Sequence, residues 1–289
     1  MDWILDRVTA NAGISIGQFH FSDLTFADDV ALVSHSSNTV RNTLDLFQQE
    51  ASHLGLKISW QKTKIQNMPR NNQPANTVLH GQTVEAVDDF IYLGSKISNT
   101  GCSEPDTLRR LGLASSAMNS LHKVWKLKKL KLTTKLAIYR TCIIPVLLYG
   151  SDTWTLLKSD LRRLEAFHQR CQRTILGIRW YDYVTNVEVT QRTALPTIGH
   201  LVGHRRGALF SHAARLADNT PAKKALNIAI NCRGRIPPSP GWSRPRGRPK
   251  SSWLKQLGQP SEIDRLWSQA TNRGHRRSAR RTPAVYAVE

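Results

Sequence analysis

Two adjacent carboxylates, Asp28 and Asp29, sit inside the apolar stretch "LTFADDVALVS" at residues 24–34. Charge buried in such a setting is costly, so the chain is expected to turn there and hold the acids in water or against a cation. The flanking runs "GQFHFSDLTF" and "VALVS" read as two short strands, which makes a β-hairpin with the acids at its tip. Paired aspartates on a hairpin tip suit Mg²⁺, which takes one or two carboxylates and completes its shell with water and substrate phosphates. Phosphoryl transfer commonly uses two such ions about 3.5–4 Å apart. An isolated Asp pair is more often the polar punctuation of a turn, so the neighbouring elements decide between the two readings.

Those elements begin with a helix expected from about Asn38 to Leu54, where Val40, Leu44, Phe47, Ala51 and Leu54 share one face. Ser37 or Asn38 is its expected N-cap and Gly55 its stop. "LKISW" at 56–60 then reads as a returning strand, and "DDFIYLGSKIS" at 88–98 as a hairpin turning near Gly94. Strands and a helix in this order predict a two-layer α+β unit. Beyond residue 100 the pattern becomes helical. "SEPD" at 103–106 offers an N-cap in Ser103, acids for the first turn and an early Pro105 to a helix that lines up Leu108, Leu111, Ser115, Met118, His122 and Trp125. A second runs from Thr133 toward Leu148, bent or ended by Pro145, and a third from Ser159 carries Leu161, Leu164, Phe167, Cys171 and Ile175 as far as Gly177. Packing these stripes together leaves Lys123, Lys126, Lys128, Lys129, Lys131 and Lys135 outside. A fourth helix is expected over residues 198–217. "CRGRIPPSPGWSRPRGRPK" should be an extended linker or nucleic-acid arm, followed by a short amphipathic piece and a basic tail.

The chain is 289 residues long, 40% hydrophobic, with a net charge of +20. Its charge is uneven: residues 1–100 hold 7 basic and 10 acidic side chains, 101–175 hold 14 and 5, and 176–289 hold 20 and 6. A basic surface attached to a near-neutral first unit points to a polyanionic partner, nucleic acid first. No apolar run approaches the ~20 residues that would span a bilayer. "MDWILDRVTANAG" is no secretory leader, so nucleus or cytoplasm is expected. The four cysteines are far apart and form no CxxC pair, which argues against a zinc ribbon or a disulfide framework.

"LTFADDVALVS", "LGLKISWQKTKIQ" and "FIYLGSKIS", in this order and at this spacing, resemble the end of the palm in reverse transcriptases of LINE-like non-LTR retrotransposons. "IYRTCIIPVLLYGSDTWTL" and "LEAFHQRCQRTILGI" resemble that family's thumb, and "GWSRPRGRPKSSWLKQL" its C-terminal tail, so the resemblance covers nearly the whole chain. It implies a truncated palm over residues 1–100, a helical thumb-like domain over 101–180, a helical connection over 181–231 and a basic Pro/Arg-rich tail over 232–289. It also implies that Asp28 is the principal Mg²⁺ ligand and Asp29 its assistant, as the catalytic pair of an RNA-directed DNA polymerase. Gly55, Leu56, Lys57, Lys62 and Lys64 match the element beside the incoming nucleotide, with Lys62 and Lys64 nearest it. A solvated strand edge accounts equally well for those two lysines. Tyr92, Leu93 and Gly94 match the primer grip, in which glycine lets backbone approach the primer. The implied partners are an RNA or DNA template-primer and a deoxynucleoside triphosphate, with no membrane. Lys126, Lys128, Lys129, Lys131, Arg244, Arg246, Arg248 and Lys250 are the expected nucleic-acid contacts.

The family's palm also needs a metal-binding aspartate on an earlier strand, together with fingers. Only 27 residues precede Asp28, and Asp2, Asp6 and Asp23 do not match that ligand. The expectation is therefore a polymerase fragment without activity of its own that retains nucleic-acid binding. The alternatives are a co-opted nucleic-acid-binding protein and a polymerase subunit completed by a partner chain. His200, His204 and His212 could be imagined as a zinc site, but structural or phosphate-facing roles are the better reading. Most of the eight tryptophans fall at core spacing; Trp242, inside the arginine-proline arm, is the exception that invites base stacking.

Overall fold

The computed structural model describes residues 2–9, 12–68, 77–79, 81–234, 236 and 251–272. Arg244, Arg246, Arg248, Lys250 and Trp242 lie outside them. The chain divides into two units, one of residues 1–90 with 216–248 and one of residues 91–215 with 249–289. The expected boundary at residue 100 and this one differ by the hairpin at residues 89–98.

The first unit opens with helix α1 (Asp2–Val8) and the hairpin β1 (Ile14–Ile16) and β2 (Phe19–Phe21). A second hairpin follows, β3 (Asp23–Phe26) and β4 (Asp29–Leu32). The single strand expected over residues 17–26 is thus two, broken at Ser22. Helix α2 (Ser37–His53) is capped one residue earlier than expected, by Ser36, whose hydroxyl accepts the Thr39 N–H at 3.2 Å. It stops where Gly55 adopts φ 72°, a left-handed conformation that glycine tolerates without a Cβ clash. Strand β5 (Lys64–Ile65) pairs in parallel with β7 (Gln82–Ala86), which pairs antiparallel with β6 (Thr77–Leu79). The strand expected at residues 56–60 does not form; the Leu56 N–H donates back to the Ala51 carbonyl at 2.9 Å, the Ser59 carbonyl accepts from the Lys62 and Thr63 N–H groups, and Trp60 packs against the core of Leu44 and Val84. Leu32, Val40 and Ile65 join that core, so β4, α2, β5 and β7 are held by one apolar cluster. Ile4, Val8, Ala51 and Phe47 join α1 to α2.

β8 (Asp89–Tyr92) and β9 (Ser95–Ser98) form the hairpin that straddles the division between the units. The second unit continues with α3 (Glu104–Ser120), α4 (His122–Lys126) and α5 (Leu132–Ile138). One π turn at Tyr139–Ile143 absorbs the hydrogen bonding that Pro145 interrupts before α6 (Ile144–Leu147). Then come α7 (Lys158–Leu176), ended by Gly177 at φ 72°, α8 (Asn186–Thr193) and α9 (Ile198–Arg215). Helix α10 (Pro221–Arg233) belongs with the first unit and α11 (Pro260–Thr271) with the second.

The helical core gathers Met118, Trp125, Leu136, Tyr139, Ile143 and Leu147 with Leu164, Phe167, Cys171 and Ile175 of α7 and Ile198 and Val202 of α9. Three expectations change here. Leu108 is exposed rather than part of the stripe. Lys135 is buried, its Nζ donating to the Trp125 carbonyl at 2.6 Å, where it satisfies an end of α4. Ser103 caps α3 by position only, because its Oγ accepts the Thr155 N–H instead. The short amphipathic piece after residue 250 packs on this unit: Trp253 Nε1 donates to the Asp152 carbonyl at 2.6 Å, and Phe210 meets Trp267 edge to face at 6.1 Å. The architecture is mixed α+β, strand pairs in the first unit and a helical body in the second. No described helix is long and apolar enough to cross a membrane.

Candidate functional site

The carboxylate pair sits at the end of a two-residue turn, Asp28 within it and Asp29 at the first position of β4. In the β3–β4 register Asp23 opposes Leu32, Thr25 opposes Val30 and Phe26 opposes Asp29, which leaves Ala27 and Asp28 as the turn. Ala27 takes φ 55°, a position hairpins normally give to Gly, Asn or Asp. An alanine held there stores about 1–2 kcal/mol of steric strain. The scaffold tolerates it because Leu32 anchors the end of β4 in the Leu44–Val84 core. Asp28 and Asp29 are exposed, as is Phe26 beside them at 64%.

These two acids can ligate one hydrated Mg²⁺. Among the described residues, however, no group of three or more His, Cys, Asp or Glu side chains is gathered to hold a metal. Asp23 lies on the same hairpin, but its Oδ1 accepts from Ser22 Oγ at 2.6 Å. Two carboxylates are a number Mg²⁺ takes from protein, and a two-ion centre would need a bridging carboxylate that no described acid beside the pair supplies.

Of the two lysines expected near a nucleotide, Lys62 is exposed. Lys64 sits on β5 opposite Glu85 of β7, and its Nζ lies 2.6 Å from the Glu85 carboxylate. That exposed pair is worth no more than about 1 kcal/mol, so it holds Lys64 only loosely. Gly55, Leu56 and Lys57 line a recess of about 300 Å³ with Gln48, Ser52 and Trp60 at the end of α2.

Tyr92, Leu93 and Gly94 lie together on the β8–β9 hairpin, with Leu93 and Gly94 as its turn at φ 47° and 78°. Both turn carbonyls are taken by the helical body. Tyr149 OH donates to the Leu93 carbonyl at 2.9 Å, and Arg109 Nη1 donates to the Gly94 carbonyl at 3.1 Å, a carbonyl that Arg110 Nη2 also reaches. The Arg110 guanidinium lies over the Tyr149 ring at 4.3 Å. The left-handed backbone angle favours glycine at position 94, and a Cβ there would meet Tyr149 at 3.3 Å, close enough that the ring would have to give by a few tenths of an ångström.

Beneath the turn lies Asp106, 2% exposed. Its Oδ1 accepts the Lys96 N–H and its Oδ2 the Trp154 Nε1–H, both at 2.9 Å. Arg110 Nε stands 3.7 Å away, and burial lowers the Arg110 pKa from its ordinary value even though Asp106 opposes that shift. From the sequence Asp106 is a first-turn acid of α3, and the clamp is not legible there. The signal available was an acid and two arginines at i+3 and i+4 on one helix face; Trp154 and Lys96 come from other elements.

Lys126, Lys128, Lys129 and Lys131 are exposed around the α4–α5 connection and form a local basic patch. His200, His204 and His212 are exposed on α9, and no metal cluster includes them among the described residues. The histidine that sequence reasoning passed over is His168, buried in α7. Tyr139 OH lies 2.9 Å from its Nδ1, while Nε2 faces the Pro196 carbonyl without reaching hydrogen-bond geometry. Burial pushes His168 down to about 4 and the adjacent Cys171 thiol up to about 11. The three groups form a polar island in the core, joined through Tyr139 OH and His168 Nδ1, with His168 Nε2 left without a hydrogen bond.

No family model matches the chain. Among curated proteins it is 29% identical over 164 residues to a transposon-derived protein of Caenorhabditis elegans, a match covering 55% of this chain and 58% of that protein. It is 24% identical over 184 residues to the RNA-directed DNA polymerase from mobile element jockey of Drosophila melanogaster, covering 57% of this chain and 19% of the polymerase. The chain therefore spans under two thirds of either relative's length. Both likenesses support an origin related to non-LTR retrotransposons.

Proposed function

We propose that the chain is part of a non-LTR retrotransposon reverse transcriptase, comprising the end of the palm and the thumb, and that it binds nucleic acid without polymerising alone. The observation that carries this reading is the Phe26-Ala27-Asp28-Asp29 turn, held in a strained conformation at the tip of a hairpin that a helix and a second sheet support. Backbone strain clusters at ligand-holding turns, which supports reading this one as a site. The likeness to the jockey polymerase supports the same class. In this reading Asp28 and Asp29 hold Mg²⁺, which when bound neutralises phosphate charge and activates the attacking hydroxyl. The Leu93–Gly94 turn presents backbone to a primer, and Lys126, Lys128, Lys129 and Lys131 pair with phosphates. Two carboxylates on one exposed turn are too few for the two-ion reaction, which supports binding rather than synthesis by this chain alone.

Primer extension with Mg²⁺ on an RNA template tests the first half. No incorporation is expected, and incorporation abolished by Asp28→Ala would overturn the claim of inactivity. Binding titrations over a salt series test the second. Affinity should fall steeply with salt, and replacing the four lysines with alanine should reduce the slope by up to about 3–4, near 0.9 per lost phosphate contact. A protein that binds neither RNA nor DNA at low salt would refute the binding half.

A further inference from the structure

Residues 177–185 join α7 to α8 through the sequence "GIRWYDYVT". Both ends are fixed. Gly177 closes α7 in the left-handed conformation, and the Thr185 hydroxyl caps α8 by accepting the Glu188 N–H at 3.2 Å. Between them Trp180–Asp182 form one 3₁₀ turn, stapled by the Asp182 carboxylate accepting the Arg179 N–H at 2.7 Å. This short, doubly anchored connection leaves its aromatic rings in water. Trp180 is 87% exposed and Tyr183 88%, with Tyr181 also exposed. Leaving three large rings in solvent on one tight turn forfeits burial energy that a core position would recover. Tyr183 also sits at φ 51°, an unfavourable angle for an aromatic residue. Trp180 and Tyr181 meet edge to face at 5.6 Å and 77°, so their flat faces point in different directions. Arg179, exposed, is tethered to this group: its Nη1 donates to Tyr181 OH at 2.5 Å and its guanidinium lies 5.7 Å from that ring.

We propose that this aromatic turn is a stacking site for unpaired bases of single-stranded nucleic acid. Trp180 and Tyr183 supply the ring faces and Arg179 the charge for the adjoining phosphate. Flat, exposed, pre-positioned rings beside an arginine are what sequence-tolerant base stacking requires. The same residue types also make protein hot spots. Charge decides between the two partners: residues 101–289 carry 34 basic and 11 acidic side chains, which favours a polyanion. The proposal rests on the nucleic-acid reading above but concerns a site that reading does not use, well apart in sequence from the lysine patch.

The test compares full-length protein with Trp180→Ala/Tyr183→Gly and with Trp180→Phe, using fluorescein-labelled oligo(A) and oligo(dA) single strands and an oligo(dA)·oligo(dT) duplex of equal length. Because both rings are exposed and glycine relaxes φ at position 183, the double variant should keep the wild-type circular dichroism spectrum and thermal midpoint. Its single-strand affinity should drop about tenfold or more, the loss expected for one base–aromatic stack, while duplex affinity changes little. Trp180→Phe should keep most of the affinity but lose the tryptophan quenching that binding produces. Equal single-strand affinities in wild type and double variant overturn the stacking site and leave the nucleic-acid reading standing. Equal affinities together with loss of self-association in the variant also overturn it, assigning the rings to a protein contact. Absence of all binding by wild type overturns the broader reading first.

Discussion

Replacing Asp106 with alanine removes a buried carboxylate that accepts two N–H groups at 2.9 Å and faces Arg110 at 3.7 Å. Hydrogen bonds to a charged group contribute ~1.5–3 kcal/mol each. Taking away the anion also strands Arg110, itself buried, and breaking one side of a buried ion pair costs ~3–5 kcal/mol. These contributions overlap because the same carboxylate makes all of them, so the expected loss is about 4 kcal/mol rather than their sum. Urea unfolding followed by tryptophan fluorescence reads it directly, since Trp154 is one of the ligands. In a scan, the thermal midpoint should fall by roughly 8–16 °C at ~2–4 °C per kcal/mol. Asp106→Asn keeps the shape but turns an acceptor into a donor facing a donor, and should lose about 2–3 kcal/mol. Adding Arg110→Met to Asp106→Ala should recover part of the loss, with a coupling of ~1–3 kcal/mol, because the unpaired charge leaves with its partner. An alanine variant within about 1 kcal/mol of wild type would refute the clamp.

Two further perturbations test the core and the metal hairpin. His168 titrates near 4 when folded and near 6.5 when unfolded, so the unfolded chain binds the extra proton between those values. Stability should therefore fall by up to about 3 kcal/mol as pH drops from 6.5 to 4, with no contribution above that window. His168→Gln should show a shallower decline there, and identical pH profiles would count against burial as the cause. At Ala27, glycine should leave stability unchanged or raise it by up to about 1 kcal/mol, while Ala27→Val should lower it by about 1–2 kcal/mol, because a β-branched side chain fits φ 55° worst. A valine variant as stable as wild type in urea would show that the turn is unstrained.

The local sequence accounts well for the helices and poorly for the strands. Helices α2, α7 and α9 follow from apolar spacing that buries one face, and Gly55 and Gly177 end α2 and α7 because they take left-handed angles. Leu56, Ile58 and Trp60 alternate as a strand would, yet no strand forms there. Pairing is decided by a partner elsewhere in the chain, and β7 pairs with Lys64–Ile65 instead. Lys135 reads as a solvated lysine until the fold brings the Trp125 carbonyl within its reach.

The same division runs through the functional residues. The hairpin with acids at its tip is legible from the sequence, but the register sets the turn one residue earlier, at Ala27 and Asp28, with Asp29 opening β4. Likewise Leu93 and Gly94 were legible as a turn from their own dipeptide and flanks. What holds that turn is not legible: Asp106, Tyr149 and Trp154 are 12 to 60 residues from Gly94 in sequence and meet only because α3 and the segment after α6 pack together. The exposure of Trp180 and Tyr183 was equally invisible, because tryptophan and tyrosine predict burial on average and only packing reveals which rings find no core. Local spacing determines which elements form and where they stop. Which buried charge has a partner, and which aromatic ring has none, depends on contacts between distant segments, and those the tertiary structure alone decides.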